Sequence, residues 1–170
     1  VFDLLTTVHS GGEPVWEETS TFLRIGKSDL DKLDHPGKQP GKQPEKRPEL
    51  QLEQPESTGT TWRLAGDLGR RYAAVSGDHN PIHLYALTAK AFGFPRQIAH
   101  GMWSKARCLA ALDGRLPDAV TTDVAFKKPV LLPGTVTFGS ARHADGYAFA
   151  LARPKDGKPH LLGRFRPAIA

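Results

Sequence analysis

The chain has 170 residues, of which 39% are hydrophobic, so it can bury one ordinary core but hardly a second one beside a linker. Its formal net charge of +5 attracts anionic partners without specifying one. We expect a cytoplasmic protein without a membrane partner, because no apolar run is long enough to cross a bilayer, no secretory signal begins the sequence, and one cysteine forms no internal disulfide.

The first 25 residues predict a strand hairpin. Two stretches with strand character, residues 4–8 and 15–23, flank a turn-like segment with two glycines and a proline. An isolated hairpin is marginally stable in water, so we expect it to pair with a further sheet.

The composition changes over residues 26–57. The letters PGKQP at 36–40 are followed by GKQP at 41–44, and glutamate, lysine, arginine, glutamine and further prolines follow. Such a stretch buries too little apolar surface to order itself. We predict a flexible linker without chemistry.

Residues 58–170 have the size of one compact domain. Apolar residues at helical spacing predict a short helix after Asp67 that ends at Ser76, a second helix over 84–92 and a longer one over 102–112. Strands are predicted at 120–126, 135–142, 147–153 and 160–166, each separated by a turn signal, with one face buried. Helices followed by an antiparallel sheet indicate the α+β class, with the sheet wrapped around helix 102–112.

The segment from Ser76 to His83 contains the candidate acid-base pair, Asp78 and His83. Gly77 and the Asn80-Pro81 pair predict an irregular loop between two helices. A carboxylate and an imidazole on one loop can hold a water between them and move its proton. The same residue types occur in ordinary turns, and by residue type alone a turn explains them somewhat better.

The wider sequence resolves these alternatives. The letters SGDHNPIH at 76–83, preceded by YAAV at 72–75 and followed by AHGM at 99–102, closely resemble the signature of the MaoC-like family of (R)-specific enoyl-CoA hydratases and dehydratases. The resemblance extends over most of residues 58–170. It implies the hot-dog fold, an antiparallel sheet around a long helix, which agrees with the architecture predicted from the pattern.

The resemblance also implies a reaction from fatty acid metabolism. Asp78 and His83 would activate the water that adds to the β-carbon of a trans-2-enoyl thioester, giving the (R)-3-hydroxyacyl product, and the reverse reaction would be a dehydration. The backbone N–H of Gly101, at a helix start, would stabilise the charge on the thioester oxygen. Ser76 and Asn80 would support the loop, and His79 and His100 are assigned to structure or solvent.

This chemistry needs no cofactor and no metal ion. The acyl group would be carried on coenzyme A or on the phosphopantetheine of a carrier protein. Arg96, Lys127 and Lys128 are candidates to bind its phosphates, although an ordinary solvated surface explains them equally well.

Some bacterial members of the family join two hot-dog halves in one polypeptide. Residues 1–25 resemble the last strands of such a first half, so we interpret them as a remnant of a preceding unit. The acyl groove would then be completed by a second hot-dog unit or by a homodimer. A hot-dog thioesterase and a non-catalytic acyl-thioester-binding unit are the alternative functions; a nucleic-acid-binding protein is disfavoured because no such motif is present.

Overall fold

The computed structural model describes residues 2–22, 52–55, 59–143 and 145–168. The chain forms two compact units, Val1–Arg47 and Pro48–Ala170. Most of the predicted linker, residues 26–51 and 56–57, lies outside the described residues.

The smaller unit contains the predicted hairpin. Strand β1 (Phe2–Ser10) pairs antiparallel with strand β2 (Glu13–Phe22), and the register shifts between Val8 and His9. The turn uses Gly11 and Gly12, whose φ angles of 60° and 91° suit glycine. The interpretation of this hairpin as a remnant of another unit stays a prediction.

The larger unit is built on a five-stranded antiparallel sheet. Its strands are β3 (Thr60–Leu64), β4 (Val120–Phe126), β5 (Gly134–His143), β6 (Gly146–Ala152) and β7 (Pro159–Pro167), in the order β3-β5-β6-β7-β4. The four strands predicted from the sequence are confirmed, with ends that differ by at most one residue. Strand β3 was not predicted.

The larger unit also contains four helices: α1 (Leu68–Ser76), α2 (Pro81–Leu84), α3 (Ala86–Ala91) and α4 (Gly101–Ala110). The prediction of an irregular loop up to His83 is wrong in its second half. Pro81 begins α2, and the Asn80 side chain accepts a hydrogen bond from the Ile82 N–H at 3.3 Å. Proline in the first turn and an asparagine cap are typical of a helix start.

The core lies between α4 and one face of the sheet. Cys108 and Leu112, in and just after α4, are fully buried with Phe149, Leu151 and Leu161 of the sheet. This arrangement confirms the predicted α+β class. The expectation of a single buried face is wrong for β6, because its alanines 148, 150 and 152 are also buried.

The described residues of the predicted linker, 52–55, belong to the larger unit and pack against its other residues. Pro55 is buried, the Gln54 side chain donates a hydrogen bond to the Gly157 carbonyl oxygen at 2.7 Å, and Glu53 lies 3.3 Å from the His143 imidazole. Among the described helices, none combines the length and apolar character required to cross a membrane.

Helix α1 packs against α2 at a glycine. A Cβ atom added to Gly69 would lie 1.9 Å from the main-chain oxygen of His83. At Gly69 the backbone of α2 therefore lies closer to α1 than a residue with a Cβ atom would permit. This close packing fixes the position of the His83 backbone, from which the His83 side chain extends.

We predict that Gly69→Ala destabilises the protein, although alanine is the better helix former. Separating α1 from α2 should lower the free energy of unfolding by about 1–3 kcal/mol, measured by urea denaturation. Gly66→Ala is the control, because its Cβ would meet its nearest atom at 3.5 Å, an ordinary contact. Equal stability of the two variants would contradict the close packing.

Candidate active site

The site begins where α1 ends. Gly77, with φ at 75°, donates its N–H to the Ala73 carbonyl oxygen at 2.9 Å and turns the chain out of the helix. The Ser76 hydroxyl then accepts the Asp78 N–H at 3.2 Å, and the Asn80 N–H donates to Asp78 Oδ1 at 3.0 Å. These local bonds orient the Asp78 carboxylate, whose side chain is 53% exposed.

His83 lies in α2 and is only 8% exposed. Its Nδ1 lies 2.9 Å from the main-chain oxygen of Ile98. Because a carbonyl oxygen only accepts, this contact assigns a proton to Nδ1 and leaves the lone pair of a neutral ring on Nε2. The imidazole is thereby oriented as a proton acceptor.

The pKa of His83 is lowered from its ordinary value of 6.5. Burial is the largest cause, because desolvation disfavours the charged ring, and His100 acts in the same direction. The hydrogen bond to Ile98 and the Asp78 carboxylate oppose the shift without cancelling it. His83 therefore remains neutral, and able to take a proton, at pH 7.

The structure brings Asp78 and His83 together with a third residue, His100. One nitrogen or oxygen atom from each of the three side chains lies within 4.8 Å of the other two. A water can bridge two groups at this separation, because each hydrogen bond spans about 2.8 Å. Carboxylate and imidazole are also metal-ligand types, so the prediction that the site needs no metal stays a prediction.

A cavity of about 270 Å³ opens beside His83. Its lining includes Gly101, the first residue of α4, whose N–H has no acceptor within the helix and sits at the positive end of the helix dipole. The ring of Phe126, at the end of β4, lies against Gly101, where an added Cβ would approach it to 3.1 Å. Glycine at this position therefore leaves room for the aromatic wall.

The three basic residues proposed from the sequence lie in different places. Lys127 and Lys128 line the cavity and are exposed, and both N–H groups point to the His160 carbonyl oxygen, at 2.8 and 3.3 Å. Arg96 is exposed but does not belong to the lining residues.

The sequence reasoning missed several residues of the site. Phe126, Ser104 and His160 line the cavity, and His100 stacks on His83. Ser104 lies three residues after Gly101 on α4, so helical spacing would have placed it near the same wall. Phe126 and His160 come from different strands, and no local pattern brings them together.

An antiparallel sheet packed on one helix, with a carboxylate and an imidazole close together near the start of that helix, is the arrangement of a hot-dog protein. A family model described as "MaoC like domain" matches residues 37–147. The chain belongs to the MaoC-like domain family.

The relatives are consistent with this membership. The chain is 40% identical over 164 residues to 3-hydroxyacyl-thioester dehydratase X of Mycobacterium tuberculosis, covering 96% of this chain and 55% of the relative's length. A crystal structure of HtdX from the same organism has 39% identity and a TM-score of 0.75, covering 98% of this chain and 61% of that one. An (R)-hydratase from A. caviae, at 22% identity and a TM-score of 0.51 over 71% of this chain and 98% of that one, has the same fold.

We predict that His83 titrates below pH 6.5, because its pKa is lowered by burial. The measurement is an NMR titration of the histidine ring protons, with the signal assigned by its absence in His83→Gln. A midpoint at or above 6.5 would contradict the assignment.

The lowered pKa of His83 also affects folding stability. As the pH falls below about 6.5, the unfolded chain binds a proton at His83 more readily than the folded chain does, so the free energy of unfolding decreases until the pH reaches the folded pKa.

Proposed function

We propose that the protein catalyses the reversible hydration of trans-2-enoyl thioesters to (R)-3-hydroxyacyl thioesters. The observation that carries this proposal is the approach of Asp78 and His83 side-chain atoms to within 4.8 Å, with His83 and the start of α4 both on one cavity. Membership of the MaoC-like family and the name of the M. tuberculosis relative, a 3-hydroxyacyl-thioester dehydratase, support the same reaction.

The geometry suggests a role for each group. A water held between Asp78 and His83 attacks the β-carbon of the enoyl group, and its proton passes to Nε2 of His83. Asp78, fixed by the Ser76 and Asn80 contacts, orients this water. The proton taken up by His83 is then passed through the Asp78 carboxyl group to the α-carbon, so that the elements of water add across the double bond and both groups return to their starting states. In the reverse direction the same groups remove water from the 3-hydroxyacyl thioester.

The α-carbon passes through an enolate-like state in both directions, and its negative charge gathers on the thioester oxygen. The Gly101 N–H, in the first turn of the ten-residue helix α4, would donate to that oxygen. One donor of this kind contributes on the order of 3–4 kcal/mol to transition-state stabilisation. No cofactor is needed for these steps, because the thioester itself stabilises the developing charge.

The carrier of the acyl group is coenzyme A or the phosphopantetheine of a carrier protein. Lys127 and Lys128 lie at the cavity and are exposed, so their ammonium groups suit its phosphates. The cavity of about 270 Å³ is smaller than the roughly 300–1,000 Å³ typical of ligand sites. A second hot-dog unit, from a homodimer or a partner, would complete the groove for the acyl chain.

We expect the protein to hydrate crotonyl-CoA or a longer enoyl-CoA, followed as loss of the absorbance of the conjugated thioester. Asp78→Asn and His83→Ala should each lower kcat by about 10²–10⁴-fold, because each removes one member of the acid-base pair. His79→Ala is the matched control, since His79 is exposed on the same loop and its Nδ1 contacts only the Gly77 carbonyl oxygen among the described hydrogen bonds.

Two outcomes would contradict the proposal. The first is hydration that the Asp78 and His83 variants perform as well as the wild type. The second is release of free thiol from a saturated acyl-CoA without hydration of the enoyl substrate, which would indicate a thioesterase.

Removing the basic pair is expected to weaken substrate binding. The double variant Lys127→Ala, Lys128→Ala should raise KM for an enoyl-CoA and leave kcat within about twofold, because the phosphates take no part in the reaction and contacts to them bind the ground state and the transition state equally. Its KM should also depend less on salt. Arg96→Ala is the control, because Arg96 is an exposed cation outside the cavity lining. An equal rise in KM in that variant would indicate a general effect of positive charge and contradict a phosphate site at Lys127 and Lys128.

A further inference from the structure

His100 is a buried titratable residue that the proposed chemistry leaves without a role. It directly precedes α4 and is 2% exposed. Its side chain does not cap that helix, and its main-chain oxygen accepts the N–H of Ser104 at 3.2 Å and the Ser104 hydroxyl at 3.3 Å. The Ser104 contacts therefore involve only the main chain of His100, and the role of its imidazole depends on the contacts that the ring makes with the acid-base pair.

The imidazole of His100 contacts both members of that pair. Its Nε2 lies 3.0 Å from the main-chain oxygen of Asp78 and 3.7 Å from the carboxylate oxygen Oδ2 of the same residue. Its ring stacks on the ring of His83, with 3.7 Å between centroids and 26° between planes. A movement of His100 would be transmitted to both side chains.

Packing alone does not explain a histidine at this position. The hydrogen bond to a carbonyl oxygen assigns the proton to Nε2, so Nδ1 of the neutral ring is a bare acceptor. Within the described part of the chain this Nδ1 is buried and has no hydrogen-bond partner. A buried acceptor without a partner destabilises a fold, and an aromatic ring without nitrogen would fill the same space without that penalty.

We propose that His100 is a positioning residue for the acid-base pair: it holds the main chain of Asp78 through its Nε2–H and supports the ring of His83 by stacking. This inference rests on the proposed hydration reaction. Because His100 is almost fully buried, it acts through the other two residues and does not touch the substrate.

The electrostatic surroundings of His83 provide a readout of this role. Burial lowers the pKa of His83 most, repulsion from the positively charged form of His100 lowers it further, and the hydrogen bond to Ile98 and the Asp78 carboxylate raise it. The other titratable groups that line the cavity with His83 are Lys127, Lys128 and His160. Replacing His100 leaves all of these groups in place and removes one that lowers the pKa, so the pKa of His83 should rise.

The test compares His100→Phe with His100→Gln in the full chain. The Phe variant keeps a ring for stacking but loses the hydrogen bond to Asp78, whereas the amide nitrogen of Gln can replace Nε2 as the donor. We expect His100→Phe to lower kcat by about 10–100-fold with a smaller change in KM, because the pair is displaced from its productive geometry. His100→Gln should recover a large part of this loss.

Two further measurements separate positioning from a merely structural role. The acid limb of kcat/KM should move to higher pH in both variants, because each removes the imidazole beside His83. The melting temperature of His100→Phe should equal or exceed that of the wild type, because the buried acceptor is gone. If one variant does not fold, the pH profile of the other decides.

The outcomes distinguish this inference from the proposed function. A wild-type protein that does not hydrate enoyl thioesters would overturn both. An active wild type whose His100 variants keep its kcat and its acid limb would overturn only the role of His100. Variants with a lowered melting temperature and an unchanged pH profile would assign His100 to the fold and likewise overturn the proposal.

Discussion

The site depends on the hydrogen bonds of one short segment, residues 97–99. On one side, Ile98 donates its N–H to the Ile82 oxygen at 3.1 Å and accepts from His83 Nδ1 at 2.9 Å. On the other side, Ala99 donates to the Val130 oxygen and Leu132 donates to the Gln97 oxygen, at 2.8 and 2.9 Å. The catalytic histidine of the proposed reaction is thus tied through residues 97–99 to residues 130–132, which lead into strand β5. Residues 97–99 themselves continue into His100 and α4.

The parts of the fold with a regular pattern were predictable from the sequence. Strands β4 to β7 have turn signals between them, and no helix breaker interrupts the apolar residues of α4, so both followed from the local pattern. Strand β3 has only five residues and lies at the sheet edge, where its short segment carries little signal. Helix α2 has only four residues, and its asparagine and proline also fit a loop.

The candidate site was predictable only in part, for a different reason. The spacing of Asp78 and His83 was compatible with an ordinary turn, and the resemblance to a family, not the residue types, singled out the pair. The contacts that orient His83 come from residue 98, and the wall beside Gly101 comes from residue 126. Contacts between residues so far apart along the chain depend on the tertiary fold, which local patterns do not encode.

The two sides of the cavity differ in how much change they tolerate. The part of the lining formed by His83 and residues 98–99 is held by the approach of the His83 oxygen to Gly69 of α1 and by main-chain hydrogen bonds. Another part of the lining contains Phe126, an aromatic ring that is 54% exposed, followed by two exposed lysines. For protein engineering this is a division between a fixed half and an adjustable half: a library at position 126 changes the wall of the cavity while the hydrogen bond that orients His83 stays in place.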